Sequence, residues 1–254
     1  MIDEPVKARL LRILWFLTGR KNRVDRLLTG LLTHRSYLPE CDAQDVIPSF
    51  HETEIRIRQC PMGSWSTPLI DVAVVLKAAI GFESKRILEL GSFRGDTARL
   101  LAENTGDDTR ICAVDSDEQH GAAYRDLTIA KKIQRKTGRI SAALFDPKEK
   151  FDLIFVDADH DADSVRQDSK VAFGALAERG VILWHDYVHD IYFHGMCAVP
   201  EVLVEFAKQH AIYAIRGTRL AIYSNVVGWE TARLPTARAS RPDESVWDER
   251  QLRG

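Results

Sequence analysis

With 254 residues, of which 45% are hydrophobic and 28% charged, the chain is long enough for one α/β domain with a full core plus additional segments. A formal net charge of -2 argues against nucleic acid as a main partner. Cys41, Cys60, Cys112 and Cys197 are scattered without a C-x-x-C pair, so neither a zinc cage nor a disulfide framework is expected, and a reducing, cytoplasmic setting fits.

Residues 1–35 are basic and apolar together. Leu10, Leu11, Ile13, Leu14, Trp15, Phe16 and Leu17 form a dense run, flanked by Lys7, Arg9, Arg20, Lys21, Arg23 and Arg26. Val24, Leu27, Leu28, Leu31 and Leu32 continue at helical spacing. The segment reads as a helical arm that packs on the core or on a second subunit. A basic amphipathic helix can also lie on an anionic membrane surface. The run falls short of the roughly twenty apolar residues that span a bilayer. Met1 to Pro5 is acidic rather than basic, so no secretory leader is expected.

Residues 36–64 read as irregular, with Pro39, Pro48, Pro61 and Gly63. Such a stretch folds over a site or links elements. Thr67 then reads as a helix N-cap with Pro68 at the first helical position. Leu69, Val72, Ala73, Leu76, Ala79 and Ile80 recur at helical spacing, and Gly81 ends the helix.

The stretch RILELGSFRGDTARLLAE, residues 86–103, organises the rest. It reads as a short strand, a glycine turn over Gly91-Ser92-Phe93-Arg94-Gly95, and a helix carrying Leu100 and Leu101. Gly91 and Gly95 would let backbone approach a ligand closely. The helix start behind them offers N–H groups to an anionic or polar ligand. A G-x-G-x-x-G fingerprint of nicotinamide enzymes is absent.

A second strand runs from Arg110 to Val114 and ends at Asp115-Ser116. An acid at that point is where Rossmann-like sites hold a ribose; Asp115 or Asp117 could instead cap a helix. Residues 120–137 read as a helix with a solvated basic face, and 139–145 as a third strand followed by Asp146-Pro147. Phe151 to Val156 is a continuous apolar strand, hence central and parallel. It ends in Asp157-Ala158-Asp159-His160. A helix follows with Ala162, Val165, Ala172 and Leu176 on one stripe. Val181 to Trp184 is a fifth strand ending in His185-Asp186-Tyr187. A helix over 199–208 and a hairpin of 211–215 with 220–223 around Gly217-Thr218 complete the pattern. The tail from Trp229 onward is polar and reads as a surface tail or a dimer arm.

Alternating strands and helices predict a doubly wound, Rossmann-like α/β sheet, whose ligands lie beyond the carboxyl ends of the strands. Glu89, Asp115, Asp157 and Asp186 all fall at those ends. Asp157 and Asp186 follow adjacent strands, so two carboxylates converge. Such a pair repels unless one protonates or a cation lies between them. Hard oxygen ligands suit Mg²⁺, Ca²⁺ or Mn²⁺, and a nitrogen from His185 would favour Mn, Fe or Zn over Mg.

The string E-L-G-S-F-R-G resembles motif I of class I S-adenosylmethionine (SAM) methyltransferases. VDADH followed by WHDY resembles the O-methyltransferases of the catechol and macrocin type. The resemblance covers roughly residues 66–224. It implies a seven-stranded sheet closed by the antiparallel hairpin and SAM as cofactor. It also implies cofactor contacts from Glu89, Gly91, Ser92, Phe93, Gly95, Thr97, Asp115, Ser116 and Asp157, with Asp146 either meeting the adenine amino group or serving its turn. Residues near Trp65 to Thr67 would line the same pocket. A divalent metal would sit on Asp157, His185 and Asp186, where His185 departs from the family's usual Asp-Asn or Asp-Asp pair. His160 stands where the catechol enzyme carries its general base; it could equally cap the following helix. His189, Tyr192 and His194 are further candidates to line the acceptor pocket.

The expected organisation is a helical arm and cap segment over 1–65, a SAM-binding domain over 66–226 and a polar tail over 227–254. The expected activity is methyl transfer to a hydroxyl of a small molecule or a glycan, in a homo-oligomer, with membrane-surface contact through the arm as a further expectation. The alternatives are a non-catalytic protein on the same fold and an NAD-dependent oxidoreductase.

Overall fold

The computed structural model describes residues 38–61, 66–188, 197–226 and 229. The 1–35 arm, Trp65, His189, Tyr192, His194 and nearly all of the tail lie outside the described residues. In chain order the elements are β1 (Glu40–Cys41), α1 (Ala43–Val46), α2 (Leu69–Gly81), β2 (Arg86–Leu90), α3 (Asp96–Asn104), β3 (Arg110–Asp115) and β4 (Ile133–Thr137). There follow β5 (Phe151–Val156), α4 (Ala162–Ala175), β6 (Leu176–Trp184), α5 (Val199–Phe206), β7 (Tyr213–Ile215) and β8 (Ala221–Ser224).

One sheet runs in the order β1-β7-β8-β6-β5-β2-β3-β4. Strands β4, β3, β2, β5 and β6 are mutually parallel. Strand β8 inserts antiparallel between β6 and β7. The central strands are buried on both faces, which is why they read as unbroken apolar runs. Their side chains alternate between two core layers. Ile87, Leu153, Phe155, Val181 and Leu183 face the layer that holds α2 and α3. Leu88, Leu90, Ile154, Ile182 and Trp184 face the layer that holds α4 and α5. Each such fully buried side chain contributes about 1.5–3 kcal/mol relative to exposure. The parallel strands therefore deliver all their carboxyl ends to one edge of the sheet.

The structure departs from the sequence expectations at several places. Residues 120–137 are not one helix. They form turns, a 3-10 segment over Thr128–Lys132, and then β4, which pairs with β3 from Ile111↔Ile133 to Asp115↔Thr137. β4 is the edge strand and carries Gln134, Arg135 and Lys136, so no apolar alternation marks it; the hydrogen bonds of β3 decide the conformation. The third strand thus precedes the expected 139–145. That stretch holds only a 3-10 turn, Ala142–Leu144, with Phe145 buried beside Phe151. Lys132, expected on a solvated face, is buried.

Nor is the segment before α2 wholly irregular, because Glu40–Cys41 adds an eighth strand, parallel to β7. Helix α2 starts one residue late: Pro68 is the cap, its carbonyl accepting from the Val72 amide at 3.0 Å. Thr67 is thereby freed for another partner. Trp229 is buried rather than the start of a surface tail, its Nε1 donating to the Ala211 carbonyl at 2.8 Å. Cys112, in β3, lies in the core.

Candidate functional site

A cavity of about 1030 Å³ opens along the carboxyl ends of β2 to β6. Its lining includes Glu89, Gly91, Ser92, Phe93, Thr97, Asp115, Ser116, Asp157, His160, His185 and Asp186. These are the predicted site residues save two. Gly95 lies behind the turn. Asp146 is exposed and serves its own turn, its Oδ1 accepting from the Lys148 amide at 2.8 Å. The structure does not bring Asp146 to the cavity. With β4 placed earlier in the chain, Gly138, Arg139 and Ile140 occupy that wall instead.

The glycine turn is held mostly by its own protein. The Gly91 and Ser92 amides both donate to the Val114 carbonyl, at 2.9 and 3.0 Å. The Phe93 amide donates to Asp115 Oδ2 at 2.6 Å, and the Asp117 amide to Asp115 Oδ1 at 2.9 Å. Both glycines have positive φ, and both are required by packing as well. A Cβ on Gly91 would lie 2.1 Å from the Asp157 carbonyl oxygen, and one on Gly95 would lie 2.3 Å from the Tyr124 ring. Packing and backbone conformation by themselves require glycine at both positions. Beneath the turn, Ser92 Oγ lies 2.9 Å from Nδ1 of the buried His120.

Glu89 shares the face of Ile87 and points toward α3. It is 2% exposed, and its Oε2 has no hydrogen-bond partner. Burial, then the charges of Asp157, Asp115 and Asp96, push its carboxyl well above the ordinary range, against a hydrogen bond from the Ala98 amide.

At the ends of β5 and β6, donor atoms of Asp157, His185 and Asp186 lie within 4.8 Å of one another. His185 is 6% exposed, with Nδ1 3.1 Å from Asp157 Oδ1 and 3.2 Å from Asp186 Oδ2. Neither approach has hydrogen-bond geometry, so Nδ1 is close to two acceptors without bonding either. The other nitrogen, Nε2, is 3.1 Å from Asp71 Oδ2. Burial disfavours the imidazolium, but the Asp157 charge and the contacts to Asp157, Asp186 and Asp71 outweigh it and raise the pKa to about 12. A buried ring nitrogen facing two carboxylates, with its other nitrogen fixed by a third, matches the way proteins present an imidazole to a metal ion. The donor set fits a divalent cation, which would take the place of the Nδ1 proton that the two carboxylates otherwise hold on His185.

Thr67 donates from Oγ1 to Asp157 Oδ2 at 3.0 Å. His160 Nε2 lies 2.7 Å from Asp186 Oδ2. That hydrogen bond raises the His160 pKa, with burial opposing. Burial works to raise the Asp186 pKa, but the hydrogen bond to His160 and the close imidazole of His185 hold it well below the usual range. Asp186 adopts a positive φ of 55°, a strained conformation for a non-glycine residue. Arg219 Nη1 stands 3.8 Å from Asp186 Oδ1.

Asp71, His120, Arg219 and Asp168 are cavity or supporting residues that sequence reasoning missed. Asp71 carried one legible signal: it is a lone acid in the otherwise apolar opening of α2, LIDVAVVL. His120 and Asp168 were hidden within segments read as ordinary helices.

A family model described as a methyltransferase domain matches residues 88–187. A search of curated proteins finds no match by sequence. Among solved structures the chain is similar to TomG, an O-methyltransferase of Streptomyces achromogenes involved in tomaymycin synthesis and solved with SAM. The identity is 19% and the TM-score 0.52, over 81% of this chain and 97% of that one. It is similar also to the methyltransferase PaMTH1 of Podospora anserina, solved with S-adenosylhomocysteine. There the identity is 18% and the TM-score 0.53, over 80% and 96% of the two chains. At these identities the likeness is one of fold.

Proposed function

We propose that the chain moves a methyl group from SAM to a hydroxyl of a small molecule or a sugar, a reading supported by the methyltransferase-domain match over residues 88–187 and by the likeness of fold to a SAM-bound O-methyltransferase. One observation carries the reading. A single cavity joins a glycine turn and ribose-type acid to a buried cluster of two carboxylates and an imidazole.

When bound, the cofactor supplies an electrophilic methyl on a sulfonium sulfur. Glu89 would meet the methionine ammonium, a cation that suits a buried carboxyl oxygen with no partner. Asp115 would receive the ribose hydroxyls. Each of its oxygens already accepts one amide, and a carboxylate oxygen has a second lone pair. Gly91, Ser92, Phe93, Thr97 and Ser116 would form the surrounding wall, with Gly95 fixing the turn from behind.

Asp157, His185 and Asp186 would hold a divalent cation, with Mn²⁺ favoured over Mg²⁺ by the imidazole nitrogen. The cation would supply positive charge that acidifies and orients an acceptor hydroxyl. His160 would take the hydroxyl proton on Nδ1, while its Nε2–H donates to Asp186, whose carboxylate would stabilise the imidazolium. Holding both reactants in line would contribute up to about 7–11 kcal/mol. We extend the reading to a cytoplasmic homo-oligomer whose 1–35 arm forms the subunit contact or touches a membrane surface. No helix among the described residues is long and apolar enough to cross a membrane.

Calorimetric titration tests this. SAM should bind the wild type, and Asp115→Ala should abolish the heat. Mn²⁺ should bind the wild type, and Asp157→Ala should remove that heat. Absence of SAM binding to the wild type would sink the proposal and favour a non-catalytic role. Methyl transfer that persists in His160→Ala would remove His160 as the base. Liposome binding that survives deletion of residues 1–35 would refute the membrane role of the arm.

A further inference from the structure

We propose that Asp168, on the inward face of α4, reads the 6-amino edge of the cofactor's adenine and so sets the preference for an adenosyl group. This rests on the SAM reading above.

The order of the strand ends locates the base. Across the sheet edge the cavity passes from His185 and Asp186 on β6, to Asp157 on β5, to Glu89 and Gly91 on β2, to Asp115 on β3, to Gly138–Ile140 after β4. A cofactor with its ribose on Asp115 and its amino acid on Glu89 points its methyl toward the β5–β6 cluster. Its base then occupies the remaining end, against Arg139 and Ile140. Asp168 lines the cavity together with Ser164, one helical turn earlier on the same face of α4, and with Gln167, its neighbour in sequence. Arg139 and Asp168 line the same cavity, and the Arg139 charge opposes the rise in the Asp168 pKa.

Asp168 is 4% exposed and makes no side-chain hydrogen bond or ion pair among the described residues. A buried, unpaired carboxyl costs stability unless a ligand completes it. Adenine presents an amino donor beside a ring-nitrogen acceptor. A protonated carboxyl matches both, its carbonyl oxygen accepting from the amino group and its O–H donating to the ring nitrogen. Burial, with the Asp159 and Asp161 charges, raises the Asp168 pKa to about 7 against the pull of Arg139, so the neutral form is accessible near neutral pH. The neighbours Ser164 and Gln167 carry no charge. Nothing in the pattern of α4 distinguishes Asp168 from a helix-surface acid; only its burial against the cavity does.

The test is calorimetric binding of S-adenosylhomocysteine and of its 6-deamino (purine) analogue to the wild type, Asp168→Asn and Asp168→Ala. Thermal melting serves as the folding control. The wild type should prefer the adenosyl compound by roughly tenfold or more, within the range of a good bidentate base contact. Asp168→Asn keeps an acceptor and a donor and should keep that preference. Asp168→Ala should bind the adenosyl compound roughly ten- to a hundredfold more weakly and no longer tell the two apart. An Asp168→Ala protein that binds with the wild-type preference overturns this inference alone. A wild type that binds neither compound overturns the SAM reading with it.

Discussion

Asp71 and His185, 114 positions apart, meet at 3.1 Å between Oδ2 and Nε2 inside the protein. Asp71 is fully buried, and its other oxygen accepts the Arg219 amide at 3.1 Å. One carboxylate from α2 thus fixes both the imidazole at the end of β6 and the chain entering β8. The orientation of His185 toward Asp157 and Asp186 depends on it.

Replacing Asp71 by Ala should lower Mn²⁺ affinity roughly 10–100-fold, the usual effect of losing the partner that orients a metal-binding imidazole. It should also destabilise the fold, because His185 and the Arg219 amide lose a buried acceptor. Asp71→Asn should retain more of both properties. A manganese titration of the three proteins decides it, and equal affinities would refute the orienting role.

Gly91→Ala should be severe. The new Cβ would lie 2.1 Å from the Asp157 carbonyl oxygen, and the φ of 87° disfavours any side chain. Backbone strain of about 1–3 kcal/mol adds to a comparable overpacking cost. Urea denaturation should register the loss, and SAM binding should weaken because β2 and β5 are pushed apart. A variant of wild-type stability would show that this contact yields freely.

Lys132 is buried and donates to the Ala102 carbonyl at 2.6 Å and the Thr105 carbonyl at 2.8 Å, closing the end of α3. Burial holds its pKa below the ordinary value. Lys132→Met keeps the length but leaves those carbonyls unsatisfied, with an expected cost of about 1–3 kcal/mol in urea unfolding. An unchanged midpoint would mean that water replaces the ammonium.

Asp168 gives the apo protein a pH signature. Its folded carboxyl titrates near about 7, against 3.8 as its ordinary value. Between those values the native state holds a proton that the unfolded state has released. Its contribution to stability therefore falls as pH rises through this window and levels off above it. Asp159 and Asp161 strengthen the effect and Arg139 weakens it. Urea midpoints of wild type and Asp168→Asn should diverge in the variant's favour between about pH 4 and about pH 7 and stay apart above it. A pH-independent difference would contradict the buried, unpaired state of this carboxyl.

The central sheet was legible because its physics is local. Residues 86–90, 110–115 and 151–156 must be apolar to lie between two helical layers, and the acids that end them are conspicuous by contrast. Glu89, Asp115, Asp157 and the His185-Asp186 pair were therefore found from the sequence, and all line one cavity. Edge strand β4 was not found, since its outer side faces solvent and its residues are polar. That error displaced the third strand and made Asp146 a candidate in place of the wall formed by Gly138 to Ile140.

What the sequence by itself determined is the alternation of elements, the glycine turn and the residues that end each strand. Those follow from burial periodicity and turn chemistry, which act over a few neighbouring positions. Only the tertiary structure decided which side chains complete the site from elsewhere. Asp71 reaching His185, His120 under Ser92 and Asp168 facing the cavity are long-range contacts. Their residue types are common on helices and in turns, and only the packing of those segments against the strand ends, with the low-dielectric burial it imposes, gives them partners or denies them one.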